Sequence, residues 1–143
     1  MTGIDTKETP VDTMMMNKVM GSMPSSTMGM DMMSMQECIE ACDAVAMAAT
    51  MCADADVAAG MGRCASMCMN MADVATTMMR MMMRPMAHDA MAMKAMLEAS
   101  MAMCQACMDE CMQHADTMEC CRICMMACEN MKSACMAVMA RMA

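Results

Sequence analysis

The sequence predicts an all-α protein, an antiparallel up-down-up-down four-helix bundle preceded by a flexible Met-rich N-terminal segment. Three observations predict it. Apolar residues recur at steps of three and four along four successive stretches, the breaks between those stretches are short, and no alternating strand-like pattern competes with them. Short links force sequential helices to run antiparallel, so the bundle topology follows from the spacing. At 143 residues the chain has the size of one ordinary domain.

The elements follow in order. Residues 1–33 carry Gly3, Pro10, Gly21, Pro24 and Gly29 among Ser, Thr, Asp and clustered Met, with no sustained apolar period, which predicts a flexible segment ahead of a helical domain over 34–143. Ser34-Met35-Gln36-Glu37 reads as a capping box that opens the first helix, which runs to about Cys52. Asp54 and Asp56 are placed to cap a second helix from about Val57 to Met83, with Gly60 and Gly62 weakening its first turn and Arg80 and Arg84 near its negative pole. Pro85, lacking an N–H, suits the first position of a third helix that continues to about His114. Asp116 or Thr117 then caps a fourth helix, with Glu119 in its first turn, that ends near Met142.

The core has unusual material to work with. Hydrophobic residues make up 59% of the chain, yet it has no Phe, Tyr or Trp and a single leucine, Leu97. With 37 Met and 13 Cys, more than a third of the side chains carry sulfur. A core that needed only apolar volume would draw on Leu, Ile, Val and Phe, whose rotamers are better defined, so sulfur itself is the selected property. The net charge is −8 and the nine basic residues are scattered, which argues against nucleic acid or anionic lipid as a partner and suits a cation. No stretch has the length and apolarity of a membrane span, and no basic segment leads into an apolar one at the N-terminus. The expected setting is the cytoplasm, with the bacterial periplasm as the alternative if a leader has been removed.

The sulfur positions are periodic. Cys38, Cys42, Val45, Ala49 and Cys52 step by four and three along the first helix, the inward stripe of a bundle helix. The second helix repeats this with Cys64, Cys68, Met71, Ala75, Met78 and Met82, and the third with Met93, Met96 or Leu97, Ser100, Cys104, Cys107 and Cys111. The fourth is densest: Cys121, Cys124, Cys128, Met131 and Cys135, then Val138 or Met139 and Met142, with Cys120 beside Cys121. Antiparallel topology brings Cys52, Cys64, Cys68, Cys104, Cys107, Cys111, Cys120, Cys121, Cys124 and Cys128 toward one end of the bundle. The other end receives Met78, Met82, Met86, Met93, Met96, Met139 and Met142, with Cys38, Cys42 and Cys135 between.

An odd number of cysteines set three or four apart on helices is a poor disulfide framework, so they read as reduced thiols. Buried thiolates without a cation carry a large desolvation penalty, and soft thiolate and thioether donors select soft ions, Cu(I) above all. The candidate ligands for multiple Cu(I) ions are all thirteen cysteines and the thioethers of Met71, Met78, Met82, Met93, Met96, Met131 and Met139. For any one Met, packing is the plainer role; the collective enrichment is what argues for metal. His114, three residues after Cys111, either ligates or steadies a helix end, and His88, at the thioether-rich end, reads as an exposed polar residue ahead of a ligand.

Alternatives remain open at this point. Cys104-x2-Cys107 and Cys121-x2-Cys124 have nearly the spacing of a structural zinc site, and either pair has the form of a thiol redox motif, though outside a βαβ context. Met surfaces can also serve an interaction module. Asp73, Glu98, Asp109, Glu110 and Glu129 lie off the sulfur stripe and read as solvated, so no paired-carboxylate catalytic site is expected and the protein reads as a binder rather than an enzyme. Met14-Met15-Met16 and Met28, Met30, Met32 and Met33 either capture Cu(I), dock on another subunit or belong to a disordered segment of biased composition.

The run from Cys104 through Cys107, Cys111 and His114 to Asp116, followed by Cys120-Cys121-Arg122-Ile123-Cys124 and Cys128, resembles the bacterial four-helix-bundle copper storage proteins over about residues 34–143. The resemblance implies a cysteine-lined bundle that stores many Cu(I) ions, a homo-oligomer that is commonly a tetramer, and partners that are copper ions and the proteins that donate or accept them. The extreme Met content departs from that pattern.

Overall fold

A computed structural model describes residues 31–142, together with Met14, Met15, Lys18 and Val19. The flexible segment expected over 1–33 therefore falls mostly outside the described residues, as do Met16, Met28 and Met30. Over residues 31–142 four α-helices form: α1 (Met32–Ala58), α2 (Gly62–Met82), α3 (Ala90–Met112) and α4 (Glu119–Ala140), with a 3-10 turn at Pro85–Ala87 between α2 and α3. Helix α1 packs on α2 and α4, and α3 completes the ring by packing on the same two. The described residues contain no strand, and no helix among them is long and apolar enough to cross a membrane.

The helices are where the periodicity puts them, but the caps differ. Helix α1 begins at Met32, because the Asp31 carboxylate takes the N-cap role: Oδ2 accepts from the Ser34 amide at 3.0 Å and from the Ser34 hydroxyl at 2.8 Å. Those two bonds, the hydroxyl first, hold the Asp31 carboxyl below its usual range. Ser34 is thus inside the first turn, and Met32 and Met33, assigned from sequence to the flexible segment, are helical.

At its other end α1 continues past Cys52 to Ala58, so Asp54 and Asp56 are helical residues and cap nothing. The stop is Gly60, at φ +75°, a conformation that L side chains rarely adopt. Its amide donates to Val57 O at 3.1 Å and the Met61 amide to Asp56 O at 2.8 Å, the paired bonds of a Schellman motif. Gly60 ends α1; the expected α2 start at Val57 gives way to Gly62.

Pro85 lies in the 3-10 turn, and α3 is capped later by Asp89, whose Oδ1 accepts from the Ala92 amide at 2.9 Å. Helix α3 ends at Met112, leaving His114 in the following turn. Neither Asp116 nor Thr117 caps α4: Met118 is the N-cap, and the Thr117 hydroxyl donates back to His114 O at 3.3 Å, bracing the link. Glu119 in the first turn of α4 pairs with Arg122.

Twelve of the thirteen cysteines are buried, and Cys120 is half-buried. Met35, Met71, Met78, Met82, Leu97 and Met131 supply the bulk, while Ala49, Ala75 and Ser100 leave room opposite them. Where the stripe was ambiguous, Leu97 and Val138 take the inward positions and Met96 and Met139 pack half-buried against the core's flank. Met86, expected inside, is 62% exposed because the 3-10 turn swings it out of the stripe.

Candidate metal centre

Each helix delivers its cysteines to one axis because steps of three and four return a side chain to the same face. Four cross-helix approaches cluster together: Cys52 Sγ to Cys121 Sγ at 3.7 Å, Cys68 to Cys111 at 3.9 Å, Cys107 to Cys124 at 3.9 Å and Cys64 to Cys121 at 4.0 Å. All lie where α1 and α3 end and α2 and α4 begin, the end at which the sequence places the thiols. Toward the far end Cys38 and Cys135 meet at 3.7 Å, and Cys104 lies in the electrostatic field of both Cys128 and Cys135, so the sulfurs form a column along the axis.

Donor atoms converge in groups able to hold a cation. Cys52, Cys64, Cys68 and Cys111 form one group, and Cys68, Cys107, Cys111 and Cys124 a second that shares two sulfurs with the first. Cys52, Cys120 and Cys121 join Asp56 in a third, and Cys64 joins Glu110 and His114 in a fourth. Among the described residues, the four cysteines of the zinc-like spacing do not converge as a set; Cys107 and Cys124 turn to Cys68 and Cys111 instead.

Two carboxylates belong here that sequence reasoning missed. Asp56 is fully buried and its oxygens accept from the thiols of Cys121 at 3.6 Å, Cys52 at 3.7 Å and Cys68 at 3.8 Å. Its signal was the step of four from Cys52, which continues the inward stripe. Glu110, read as solvated, is 5% exposed: Oε1 accepts from Arg63 Nε at 2.7 Å and Oε2 lies 3.2 Å from His114 Nε2. It sits three after Cys107 and four before His114, again in step. Asp73, Glu98, Asp109 and Glu129 are exposed as expected.

Burial is the leading cause that raises the thiol pKa of Cys52, Cys64, Cys104 and Cys121, the last to about 12. Two thiols go the other way: Cys111 and Cys128 are lowered, each chiefly by a hydrogen bond from Cys107, and Cys128 is held near 5. Hydrogen bonds from neighbouring S–H groups thus favour the anionic form at Cys111 and Cys128, while burial favours the protonated form at Cys52, Cys64, Cys104 and Cys121. A soft cation entering the column replaces protons and gains charge-compensated sulfur ligands.

The other candidates are placed but not grouped. Met71, Met78, Met82 and Met131 are fully buried and Met93 nearly so, with Met131 between Cys128 and Cys135 on the stripe of α4, and His114 is part-exposed at the thiol-rich mouth. Cys42 is fully buried on the same stripe as Cys38.

Comparison with known proteins agrees with this geometry. The profile of the copper storage protein family matches residues 26–140. The copper storage protein Ccsp from Streptomyces lividans, solved loaded with 10 copper equivalents, superposes with a TM-score of 0.82 at 35% identity, over 88% of this chain and 98% of that one. The same organism's protein in a five-copper state, described as a cytosolic copper storage protein, gives 0.73 at 37% identity over 77% and 95% of the two chains. A variant of it with one histidine changed to alanine gives 0.75 at 37% identity over 80% and 99%. No curated protein sequence matches. With a matched profile over most of its length and a sulfur-lined four-helix bundle, the chain belongs to the copper storage protein family.

Proposed function

We propose that the protein is a store for Cu(I), not an enzyme, and that it holds many ions per chain in the cysteine column. The observation that carries this is the convergence of sulfurs from different helices at 3.7–4.0 Å in overlapping groups that share Cys68 and Cys111. Shared sulfurs let one ion's ligand bridge to the next, which suits an ion that tolerates low coordination and prefers soft donors. All thirteen cysteines serve as ligands, with Asp56 as a hard donor at the Cys52–Cys120–Cys121 group and His114 with Glu110 at the mouth. Cys120, the half-buried thiol, is the first to meet an incoming ion. The buried thioethers of Met71, Met78, Met82, Met93 and Met131, flanked by Met96 and Met139, extend the soft lining with neutral donors that bind more weakly.

A cytosolic setting and a homo-oligomeric assembly, a tetramer by the family likeness, complete the reading. The first is supported by the resemblance to a protein described as cytosolic, the second by exposed Met47, Met51, Met126 and Met136 on the outer faces. Titration of the reduced protein against a chromophoric Cu(I) chelator tests the store. The expected result is on the order of ten or more ions per chain. Saturation at one or two ions, or preferential retention of zinc, contradicts it.

A further inference from the structure

We propose that the end of the bundle opposite the cysteine mouth carries a separate, cysteine-free site for one soft monovalent cation, ligated by His88 and by the thioethers of Met82 and Met93. A cavity of about 370 Å³ opens there, bounded by the last turn of α2, the 3-10 turn and the first turn of α3. Four thioether side chains line it, those of Met35, Met81, Met82 and Met93, together with the His88 ring.

The second observation is the state of that ring. His88 Nδ1 is buried and has no hydrogen-bond partner, one of only two such side-chain nitrogen or oxygen atoms among the described residues. A buried acceptor left empty is costly, and native structures fill such positions with a partner, a water or an ion. The neighbouring Asp89 carboxylate is turned to the start of α3, where its Oδ1 accepts from the Ala92 amide. The backbone at His88 is held by its amide, which donates to Pro85 O at 3.1 Å, and Pro85 itself is buried.

An imidazole nitrogen beside several thioethers is a donor set that suits Cu(I) or Ag(I) and is poor for Zn, Mg or Ca, which prefer thiolate or oxygen. All these donors are neutral, and the exposed Arg84 on the rim opposes a cation while Asp89 favours it. The site therefore fills after the thiolates and releases its ion first, which places an exchangeable ion at the end remote from the store. The identity of the ion rests on the copper storage reading above; the site itself rests on His88 and the cavity.

The test is crystallography of the reduced full chain loaded with excess Cu(I), with anomalous scattering recorded above and below the copper edge. The expected result is a copper peak in bonding contact with His88 Nδ1 and a Met sulfur, in addition to peaks along the cysteine column. In His88→Ala, and in Met82→Leu combined with Met93→Leu, that peak disappears, the total copper falls by about one ion, and the column peaks persist. A full column with no peak at His88, or with ordinary water on Nδ1, overturns the proposal, as does a peak that survives both variants. A peak at His88 with none among the cysteines overturns the storage reading and leaves this site standing.

Discussion

The thiol of Cys121, from α4, donates a hydrogen bond to Oδ1 of Asp56, from α1, at 3.6 Å inside a solvent-free core. The same carboxylate accepts from Cys52 and Cys68, so one acceptor organises thiols from three helices before any ion arrives. Asp56→Asn keeps the size and one oxygen but turns an amide N–H2 toward the thiols and removes a donor that can offset the ion's charge. The expected outcome is a loss of about tenfold in affinity for the ions held nearest, with total capacity nearly unchanged. Competition against graded Cu(I) chelators reads both quantities.

Shared ligands should cost more than terminal ones. Cys68 and Cys111 each belong to two four-cysteine groups, whereas Cys38, which meets Cys135 at 3.7 Å, belongs to no such group among the described residues. Cys68→Ala or Cys111→Ala is expected to remove roughly two ions or more, and Cys38→Ala about one. Elemental analysis of the loaded, desalted variants checks this, and equal losses at all three positions would contradict bridging sulfurs.

The metal-free protein should weaken in alkali. Burial raises Cys52, Cys64, Cys104 and Cys121 above the unfolded thiol value of about 8.5. A raised folded pKa contributes stability that is present below the unfolded value and drains away as pH climbs, because only the unfolded chain loses its protons. The slope is about 1.4 kcal/mol per pH unit for each such thiol. Cys128, held near 5, has the opposite window: its contribution is complete above about 8.5 and is lost as pH falls toward its folded value. Urea midpoints of the reduced, metal-free chain should therefore fall between about pH 8 and about pH 10, and the copper-loaded chain should show no such fall.

Packing and ligation by Met71 are separable. It is fully buried on the inward stripe of α2, three residues after Cys68. Met71→Ala is expected to destabilise the metal-free fold by about 2–5 kcal/mol through the cavity it leaves. Met71→Leu conserves volume and should cost less than about 1.5 kcal/mol. If the thioether ligates, Met71→Leu still lowers copper uptake by about one ion despite that retained stability. Chemical denaturation and copper content measured on the same preparations distinguish the two roles.

The bundle and its thiol-rich end were legible because one periodicity encodes both. Steps of three and four put Cys52, Cys64, Cys111 and Cys121 on inward faces, and short links fix which ends meet. What escaped was chemistry that shares the periodicity without sharing the residue type. Asp56 follows Asp54 by two, a pattern that looks like a helix start, yet Ala53 and Ala55 carry α1 through it and the thiols supply its hydrogen bonds. Glu110 adjoins the exposed Asp109, and only its position between Cys107 and His114 marks it as inward. The choice between Leu97 and Met96, or Val138 and Met139, turns on a rotation of one residue, which a stripe wider than one position does not resolve.

The sulfur pairs that meet at 3.7–4.0 Å join chain positions far apart, 97 residues for Cys38 with Cys135 and 69 for Cys52 with Cys121. An ion bridging either pair is a rivet between the first helix and the last, closing most of the chain into a loop. Cargo and scaffold consequently fasten each other: the fuller the protein, the less it can breathe, and thermal opening ceases to be a route by which metal escapes. Withdrawal from the cysteine column must then proceed by a competing ligand reaching in and taking ions one after another, with the frame still standing.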